Sequence, residues 1–457
     1  MDLCWHRRDL RTADNRMLAA SDELLPVFVF DDTVLEHAAP PRVAFMLDAL
    51  DSLREAYRER GGGLLIERGD PSTIIPDLAA EFDVERVLWN HDYSGLATER
   101  DEAVRAALDE QETNHEGFHD AVFHEPGAIR TNNGDPYSVF TYFWKKWRDR
   151  EKSAPYEEPD SIVDEHGENL PSLSDLGFDE PDASLPAAGS EAAEERLSRF
   201  CDGPIYRYEA DRDYPAKECT SRLSVDLKYG TIGIRRVWEI VENAKADAES
   251  EDERDSVTEF QSQLAWREFY TQVLYFNPNV VTDHYNAYEN EIEFRDDPAG
   301  LDAWKAGKTG YPIVDAGMRQ LRSEGYVHNR LRMIVASFLT KDLLLDWREG
   351  YDWYKKKLVD HDTANDNGGW QWAASTGTDA QPYFRIFNPM TQGERYDPDA
   401  EYIKRHVPDL REVDAETIHS WHELDEYPDT EYPTPIVDHA ERREEAIAMF
   451  EQARGEE

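Results

Sequence analysis

Short apolar runs that alternate with helical patterns constrain the N-terminal quarter of the chain more than any other feature does. The runs occupy residues 3–5, 25–30, 64–66 and 87–89, and helical periodicity appears at residues 43–57 and 97–108. Runs of this length, bounded by polar turns, are typical of buried strands. Strands that alternate with helices form a parallel sheet with helices on both faces. We therefore predict a doubly wound α/β domain over residues 1–128.

The remainder of the chain divides into a polar stretch and a helical region. Residues 151–195 are rich in Pro, Ser, Asp and Glu, contain one lysine and no arginine, and show no periodicity. We interpret residues 129–194 as an acidic interdomain connection, with a small independent domain as the alternative. Helical patterns return at residues 231–246, 257–276, 315–323, 326–347 and 439–454, and an acidic run at 247–259 indicates a loop and a helix start. An all-α domain over residues 195–457 is the prediction.

The net charge of −47 restricts the functions that this chain can have. An acidic composition normally argues against nucleic-acid binding, yet aromatic residues, at 11%, are too plentiful for a disordered acidic protein. An acidic, hydrated surface adapted to molar internal salt fits both facts. At 1 M salt the Debye length is about 3 Å, so only local basic contacts matter there.

Apolar run lengths and cysteine usage bear on location. No apolar run reaches the roughly 18 residues that a membrane span needs. The cysteines Cys4, Cys201 and Cys219 are scattered and odd in number, which disfavours a disulfide framework or a metal cluster. We expect a cytoplasmic monomer without a bound metal.

One segment escapes the acidic bias. Residues 304–397 contain 13 Lys or Arg and 12 Asp or Glu, where the mean charge density of the chain would give a net charge of about −10. A buried core segment would also escape the bias, but many of these basic side chains are of types that are rarely buried without a partner. The segment also contains five tryptophans, at positions 304, 347, 353, 370 and 372. Arginines interleaved with aromatics suit phosphates and stacked bases, so we predict a surface for a polyanion.

Two helical faces carry unusual side chains. Asn329, Arg332 and Met333 share one face by their spacing. An amide can hydrogen-bond to the edge of a flat heterocycle while a thioether contacts its face. Gln263, Trp266, Arg267 and Tyr270 share the second face; a base-binding surface and an ordinary amphipathic helix with a half-buried Trp are equally consistent with it.

Two polar segments suit other parts of a cofactor. Hydroxyl and guanidinium groups cluster in the segment Thr220, Ser221, Arg222, Leu223 and Ser224. They suit pyrophosphate oxygens near a helix start, although simple N-capping is the alternative. Residues 360–372 form the densest polar stretch, which we assign to a loop that recognises ribose and ring edges. A calcium loop is the rival, but its terminal bidentate Glu is missing.

Together these residues resemble the photolyase/cryptochrome family, and most closely its class I cyclobutane pyrimidine dimer photolyases. The similarity is carried by Trp-Arg-Glu-Phe-Tyr at 266–270, Gly-Lys-Thr-Gly-Tyr-Pro at 307–312, His-Asn-Arg-Leu-Arg-Met at 328–333, and Asn-Gly-Gly-Trp-Gln-Trp at 367–372. Arg7-Arg8-Asp9-Leu10-Arg11 at the N-terminus also matches. The resemblance extends over nearly the whole chain, and the combination of motifs is specific.

The resemblance implies an FAD in the helical domain. Arg332 would pair with Asp360 near the isoalloxazine, Asp362 would bind ribityl or ribose hydroxyls, and Asp366 would face flavin N5. The implied cofactor-binding residues are Tyr208, Thr220, Ser221, Arg222, Leu223, Ser224, Arg267, Arg332, Asp360, Asp362 and Asp366. The α/β domain would hold a second, antenna chromophore, either an 8-hydroxydeazaflavin or methenyltetrahydrofolate, and no residue set there decides between them.

The resemblance also implies UV-damaged DNA as the substrate. Light would drive an electron from reduced FAD into a flipped pyrimidine dimer and split its cyclobutane ring. Gln263, Trp266, Asn329, Met333 and Trp372 would line the dimer cavity, and Arg212, Arg330 and Arg385 would hold the flanking phosphates. The related 6-4 photolyases carry paired histidines where this chain has Asn329 and Met333, which favours the cyclobutane dimer. A cryptochrome-type photosensor is the alternative.

Three positions depart from the family pattern. Gln263 replaces a glutamate that contacts the lesion, and Asp366 replaces the asparagine usual opposite flavin N5, as in plant cryptochromes. Trp370 and Trp347 would carry electrons to the flavin, but Phe294 stands where the last tryptophan of the chain usually reaches the surface. The route would then end at another aromatic, such as Trp353 or a tyrosine.

Overall fold

A computed structural model describes residues 1–165, 167 and 169–456 of the chain. The N-terminal part forms one parallel sheet in the order β3-β2-β1-β4-β5. Its strands are β1 (Asp2–His6), β2 (Leu24–Phe30), β3 (Leu65–Arg68), β4 (Arg86–Asn90) and β5 (Asn114–Phe118). The four predicted apolar runs are confirmed as β1 to β4. The fifth strand was not predicted, because its sequence Asn-His-Glu-Gly-Phe is polar and it lies at the sheet edge.

Four helices cover this sheet: α1 (Asp32–Leu35), α2 (Pro40–Glu59), α3 (Pro71–Glu81) and α4 (Gly95–Glu110). Phe45 of α2 packs in a core with Phe28 and Phe30 of β2. Ile75 of α3 and Val104 of α4 pack in a separate core on the other face of the sheet. Helices therefore lie on both faces, which confirms the predicted doubly wound α/β architecture.

The predicted connection is more structured than its composition indicates. It contains α5 (Phe140–Asp149), whose Phe143 and Trp147 pack in a core of the helical region. Ile162 forms a parallel bridge to Leu24 of β2, so the following segment lies along the sheet. The domain limits at residues 128 and 195 remain predictions.

The C-terminal region is helical, as predicted. Its helices are α6 (Ser190–Cys201), α7 (Tyr208–Asp211), α8 (Ser224–Tyr229), α9 (Ile234–Asp247), α10 (Glu251–Phe276), α11 (Pro298–Ala306), α12 (Pro312–Glu324), α13 (Asn329–Ser337), α14 (Trp347–Lys357), α15 (Thr363–Ala373), α16 (Pro389–Tyr396), α17 (Glu401–His406), α18 (Ala415–His419) and α19 (His439–Ala453). The Ser250 side chain caps α10 at the Glu253 amide, inside the acidic run expected to hold a helix start. Within the described residues, no helix has the length and apolar character that a membrane span requires.

Two sequence-based assignments in this region were wrong. The helix expected over 326–347 ends in a π-helical turn, Phe338–Asp342, and the chain then reverses at Leu344, whose φ is 56°. Asp346 caps the next helix at the Arg348 amide. The polar stretch 360–372 is not a loop, because Asp362 accepts the Asn365 amide at 3.1 Å and starts α15.

Candidate functional site

A charge cluster lies between α13 and α15. The Arg332 guanidinium donates to Asp360 at 2.7 and 2.9 Å and to Asp366 at 2.9 Å. The Asp360 side chain is 1% exposed, so this contact is an internal ion pair. Burial opposes the charge on Arg332, but the two carboxylates hold its pKa above the usual range. The Arg332–Asp360 contact expected from the family resemblance is therefore present.

Asp366 has partners on several sides. Besides Arg332, its carboxylate binds His361 Nδ1 at 2.7 Å and accepts the Asp362 amide at 3.2 Å. Burial lowers the pKa of His361 below its ordinary value. Asp366 is thus held in a fixed orientation by a cation, an imidazole and a backbone N–H.

Asp362 joins the two halves of the molecule. Its carboxylate accepts from Arg8, which follows β1, at 2.6 Å, and Arg8 also donates to Asp92, which follows β4, at 3.0 Å. Burial opposes the charged form, but Arg8 and Lys228 hold the pKa of Asp362 well below its usual value. Arg267 on α10 bridges the same junction, since it donates to the Ala121 and Leu227 carbonyls at 2.5 and 3.1 Å.

The hydroxyl-rich segment lies next to the charge cluster. Ser224 Oγ donates to Asp360 at 2.6 Å. Arg222 has a left-handed φ of 54°, lies 4.2 Å from the Tyr326 ring centroid and pairs with Glu324 at 2.9 Å. The N-cap of α8 is Leu223, whose side chain makes no capping bond, so the hydroxyls of this segment do not serve as the N-cap. Tyr208 is buried beside the Arg212 guanidinium, 5.6 Å from its ring centroid.

This donor set fits a flavin dinucleotide. Thr220 and Ser221 are half-buried, and the exposed Arg222 supplies the positive charge that pyrophosphate oxygens need. The Arg332 and Asp366 pair offers both a donor and an acceptor for polar ring edges.

Both unusual faces predicted from sequence point toward α15. Tyr270 of α10 lies against Gly368, where an added Cβ would approach the Tyr270 ring to 2.2 Å. Arg332 of α13 reaches Asp366 of the same helix. The α10 and α13 faces therefore meet α15 along its length, and Trp372 is half-buried near the end of that helix.

The predicted dimer-binding side chains have defined neighbours. Trp266 stacks on Phe140 of α5, with ring centroids 3.7 Å apart and planes 10° apart. Gln263 donates to Glu259 at 3.1 Å and to Ser262 at 2.9 Å. Asn329 is exposed, and its amide lies 4.0 Å from the sulfur of Met333. The common face of Asn329 and Met333 is therefore present.

The predicted phosphate ligands differ in availability. Arg212 pairs with Glu259 at 2.6 Å, and Arg330 pairs with Asp213 at 2.6 Å while lying 4.3 Å from the Tyr396 ring centroid. Arg385 is exposed on the segment after Trp372. A phosphate would therefore compete with a carboxylate for Arg212 and Arg330 but not, among the contacts observed, for Arg385.

The two predicted electron carriers both lie close to Gly350 in α14. Trp370 packs directly on Gly350, whose added Cβ would meet the indole at 2.0 Å. Trp370 also contacts Tyr354 and Trp304, with ring centroids 5.0 and 6.0 Å away. Trp347 lies one helical turn before Gly350 and donates its indole N–H to His284 Nδ1 at 3.1 Å.

Four residues of this site were missed in the sequence. Each of them contacts a predicted residue, and they are Phe140, His284, His361 and Arg8. Phe140 comes from the region assigned as a connection, and His284 comes from a loop without a motif. Arg8 and His361 stand within quoted motifs or next to predicted residues. Their position beside these predicted residues was the only sequence signal that could have identified Arg8 and His361.

Models of two protein families match the chain. The model described as "DNA photolyase" matches residues 2–160, and the model described as "FAD binding domain of DNA photolyase" matches residues 260–452. The two matches together cover most of the chain and include both the parallel sheet and the charge cluster.

Three curated relatives have the same name, deoxyribodipyrimidine photo-lyase. The Halobacterium salinarum protein is 62% identical, with 100% of both chains covered. The Synechococcus protein is 41% identical, covering 98% of this chain and 96% of the relative. The Escherichia coli protein is 39% identical, covering 99% and 98%.

Solved structures give the same assignment. A class III photolyase from Agrobacterium tumefaciens superposes with a TM-score of 0.92 at 34% identity, covering 99% of this chain and 98% of that one. An archaeal photolyase from Sulfolobus tokodaii, solved with two FAD molecules, has a TM-score of 0.84 at 31% identity, covering 99% and 100%. A Synechocystis cryptochrome shares the fold, with a TM-score of 0.90 at 23% identity, covering 98% and 99%. By sequence and by structure, the chain belongs to the DNA photolyase family.

Proposed function

We propose that this chain is a deoxyribodipyrimidine photo-lyase that uses light and FAD to split cyclobutane pyrimidine dimers in DNA. The observation that carries this proposal is the Arg332–Asp360–Asp366 cluster, which lies next to the Asn329 and Met333 face. One helix, α13, thus presents a cofactor-binding cation and a base-binding amide on the same side. The relatives with this name match the chain over nearly its whole length.

FAD, when bound, supplies the light absorption and the electron that the reaction needs. In this proposal the segment 220–224 and Tyr208 hold the phosphates, and Arg332 and Asp366 hold polar edges of the flavin. Asp362 binds hydroxyl groups of the cofactor while it remains paired with Arg8. Arg267, which donates to the Ala121 carbonyl at the domain junction, is the remaining cofactor-binding residue of this proposal.

The protein's own task in the lesion cavity is to hold a flipped dimer. An enzyme that acts on base atoms inside a duplex must extrude the nucleotide, and stacking on an aromatic ring compensates part of the cost. Trp266 is suited to this, because its stack on Phe140 fixes the plane of the indole. Asn329 and Gln263 supply amide groups for the base edges, and Trp372 closes the other side. We assign the chain to the class I cyclobutane pyrimidine dimer photolyases because it has Asn329 and Met333 where the 6-4 photolyases carry paired histidines.

DNA outside the cavity is held by arginine. Arg385 is exposed, whereas Arg212 and Arg330 are paired with carboxylates in the free protein. Binding of DNA therefore involves an exchange of Glu259 and Asp213 for phosphate oxygens. Such an exchange fits a protein whose surface is acidic and whose DNA contacts are local.

The electron supply to the flavin runs through Trp370 and Trp347 in this proposal. Trp370 is 2% exposed and Trp347 is 0% exposed, so neither ring meets solvent directly. Asp366, where most repair enzymes are expected to have asparagine, is fixed by Arg332 and His361 and would face flavin N5.

A second chromophore is proposed for the crevice beyond the carboxyl ends of β1 and β4. Ligands of open parallel sheets bind where the strand order reverses, and β1 and β4 are such neighbours. Arg7, Asn90 and Tyr93 line this crevice, which also reaches Arg267 and Asp362 of the proposed FAD site. The buried Arg7 Nε and Asn90 Oδ1 have no hydrogen-bond partner among the described residues. Two FAD molecules in the Sulfolobus relative support a second site, and a spectrum of the native protein would identify its occupant.

We further propose a cytoplasmic monomer. The three cysteines are free thiols, as expected in a reducing compartment. Light scattering of the purified protein in high salt would test the monomer, and fractionation of the native cell would test the location.

The experiment that tests the function uses the reduced FAD-loaded protein and an oligonucleotide with one cyclobutane dimer. Under blue light in high salt, intact pyrimidines should form, and a dark sample should stay unchanged. A cryptochrome-type photosensor would absorb the light without changing the oligonucleotide. An oligonucleotide with a 6-4 photoproduct, which should remain unrepaired, tests the lesion class.

A further inference from the structure

We propose that Trp347 is the terminal electron donor of the flavin-reducing route in this protein, and that His284 accepts its indole proton. This inference rests on the proposed route through Trp370 and Trp347. The observation that carries it is the direct hydrogen bond from Trp347 Nε1 to His284 Nδ1, 3.1 Å long.

Phe294 is the reason that the route ends at Trp347. Its ring lies 6.4 Å from the His284 ring, beside the imidazole that accepts the Trp347 N–H. A benzene ring is far harder to oxidise than an indole, and Phe294 therefore cannot pass the electron vacancy onward. The vacancy stays on a tryptophan that is 0% exposed and cannot react with solvent directly.

The surroundings of Trp347 disfavour a lasting positive charge. The Arg348 guanidinium lies 5.0 Å from the Trp347 ring centroid. Asp346 pairs with that guanidinium at 2.8 Å, and Arg348 also donates to the Thr282 carbonyl, so the group is fixed in place. An indole that has lost an electron is far more acidic than neutral indole, and repulsion by a nearby cation adds to its tendency to release the N–H proton.

His284 is the base in position to take that proton. Its Nδ1 accepts the indole N–H, which places the exchangeable proton of the neutral ring on Nε2. Burial and the Arg348 charge lower the pKa of His284 below its ordinary value, whereas Asp346 and Asp283 oppose the shift. The shift favours the neutral ring. It is also partly exposed, so a proton it receives can pass to water.

Three other aromatic side chains near the route lack such a base among the described residues. Tyr288 lies 6.2 Å from the His284 ring, but its hydroxyl donates to the Ser375 carbonyl, which cannot take a proton. The buried Tyr354 hydroxyl, next to Trp370, has no hydrogen-bond partner in the part of the chain that the structure describes. Trp353 lies 5.5 and 5.2 Å from the ammonium groups of Lys305 and Lys357, and its buried N–H has no partner there either. The geometry favours His284 over Trp353, Tyr288 and Tyr354.

The electron and the proton of the Trp347 indole go to different acceptors. With FAD bound, one electron would leave the indole of Trp347 and pass through Trp370, and the light-excited cofactor would be its acceptor. The Nε1 proton moves to His284 Nδ1, which leaves a neutral indole radical and an imidazolium. A small one-electron reductant in solution, such as a thiol, later restores the indole, and the proton returns from His284 or water. Separation of the proton from the vacancy slows the return of the electron.

Flash photolysis of the protein loaded with oxidised FAD tests this step, because neutral and cationic indole radicals have different absorption spectra. The wild-type protein should show the neutral radical, formed more slowly in D2O. His284→Gln should retain the radical cation, and the yield of reduced flavin should fall by about a hundredfold, the smallest effect typical of losing a positioned base. His284→Glu should restore the neutral radical.

Two further variants make the assignment specific. Tyr288→Phe removes only a hydroxyl from a ring packed on His284 and should behave as wild type. Phe294→Trp, added to His284→Gln, should restore the yield because the vacancy can move past Trp347. In the dark, ¹⁵N NMR of the His284 ring should show an unprotonated Nδ1, which Trp347→Phe should perturb.

Two results would overturn the inference. Identical spectra and lifetimes in wild type and His284→Gln would show that His284 takes no proton. Absence of any tryptophan radical in the wild type would instead remove the Trp370–Trp347 route itself, while dimer repair by chemically reduced protein would still stand.

Discussion

Arg8 and Asp362 are 354 positions apart in the chain and form an ion pair with an N–O distance of 2.6 Å. The pair joins the end of β1 to the first residue before α15, the helix that also bears Asp366 and Trp370. Docking of the parallel sheet onto the helical region is therefore coupled to the proposed cofactor site. A substitution that weakens the docking should therefore also change FAD binding.

Arg8→Gln should lower both stability and FAD content. The substitution removes the charge-assisted hydrogen bonds to Asp362 and Asp92, which corresponds to about 1.5–3 kcal/mol in the free energy of unfolding. Thermal denaturation and the ratio of flavin to protein absorbance are the measurements. Arg16→Gln breaks a more exposed pair with Glu125 and should change stability by less than about 1 kcal/mol. Equal effects of the two substitutions would contradict the coupling.

Phe140→Leu should weaken binding of dimer-containing DNA. The substitution keeps an apolar side chain but removes the parallel stack that fixes Trp266. Aromatic pairs contribute about 0.5–1.5 kcal/mol, so the Kd for the damaged oligonucleotide should rise about two- to tenfold. Phe143→Leu is the matched control, since Phe143 is buried on the same helix but contacts Phe269 instead. If both variants bind the lesion equally well, Phe140 does not support Trp266.

The strands and the site motifs were predictable because their signals are local. Apolar runs predicted β1 to β4, whereas β5 has half-exposed, polar side chains and gave no such signal. Helix α15 was missed because asparagine, aspartate and two adjacent glycines disfavour helices. Packing explains Gly368, since any larger residue would collide with Tyr270. Contacts between distant segments, such as Arg8 with Asp362 or Trp347 with His284, leave no pattern in one sequence.

Glu259→Gln should tighten binding of DNA. The carboxylate competes with phosphate for Arg212, with which it forms a pair 2.6 Å long. Its removal should improve affinity by up to about fivefold, given the 0.2–1 kcal/mol of partly exposed pairs. The slope of log affinity against log salt should become steeper by about one. Glu55→Gln frees Arg58 on α2 in the same way and should leave both quantities unchanged.

Lys341→Met should reduce the rise in the free energy of unfolding between neutral and alkaline pH. Lys341 is 2% exposed and lies 3.5 Å from the Phe450 ring centroid, and burial lowers its pKa well below the ordinary value. The folded protein then binds fewer protons than the unfolded chain, so stability rises with pH up to the unfolded pKa of about 10.4. Burial also lowers the pKa of Lys152 to about 8 and that of Lys228 to about 7, so these two groups contribute to the same rise. Thermal denaturation from neutral to alkaline pH should therefore show a smaller rise in Lys341→Met than in wild type or in Lys356→Met, an exposed control. An equal rise in Lys341→Met and wild type would assign the whole effect to the other two lysines.

Light-driven splitting of the dimer is the central function proposed for this protein, and one measurement tests that function directly. The FAD-loaded, reduced protein is mixed in high salt with an oligonucleotide that carries one cyclobutane dimer, and the products are separated after blue light or darkness. We predict that intact pyrimidines accumulate in proportion to the light absorbed, and that Trp266→Ala lowers this yield at limiting protein. Dimers that remain unchanged after illumination of flavin-loaded protein would contradict the proposed function.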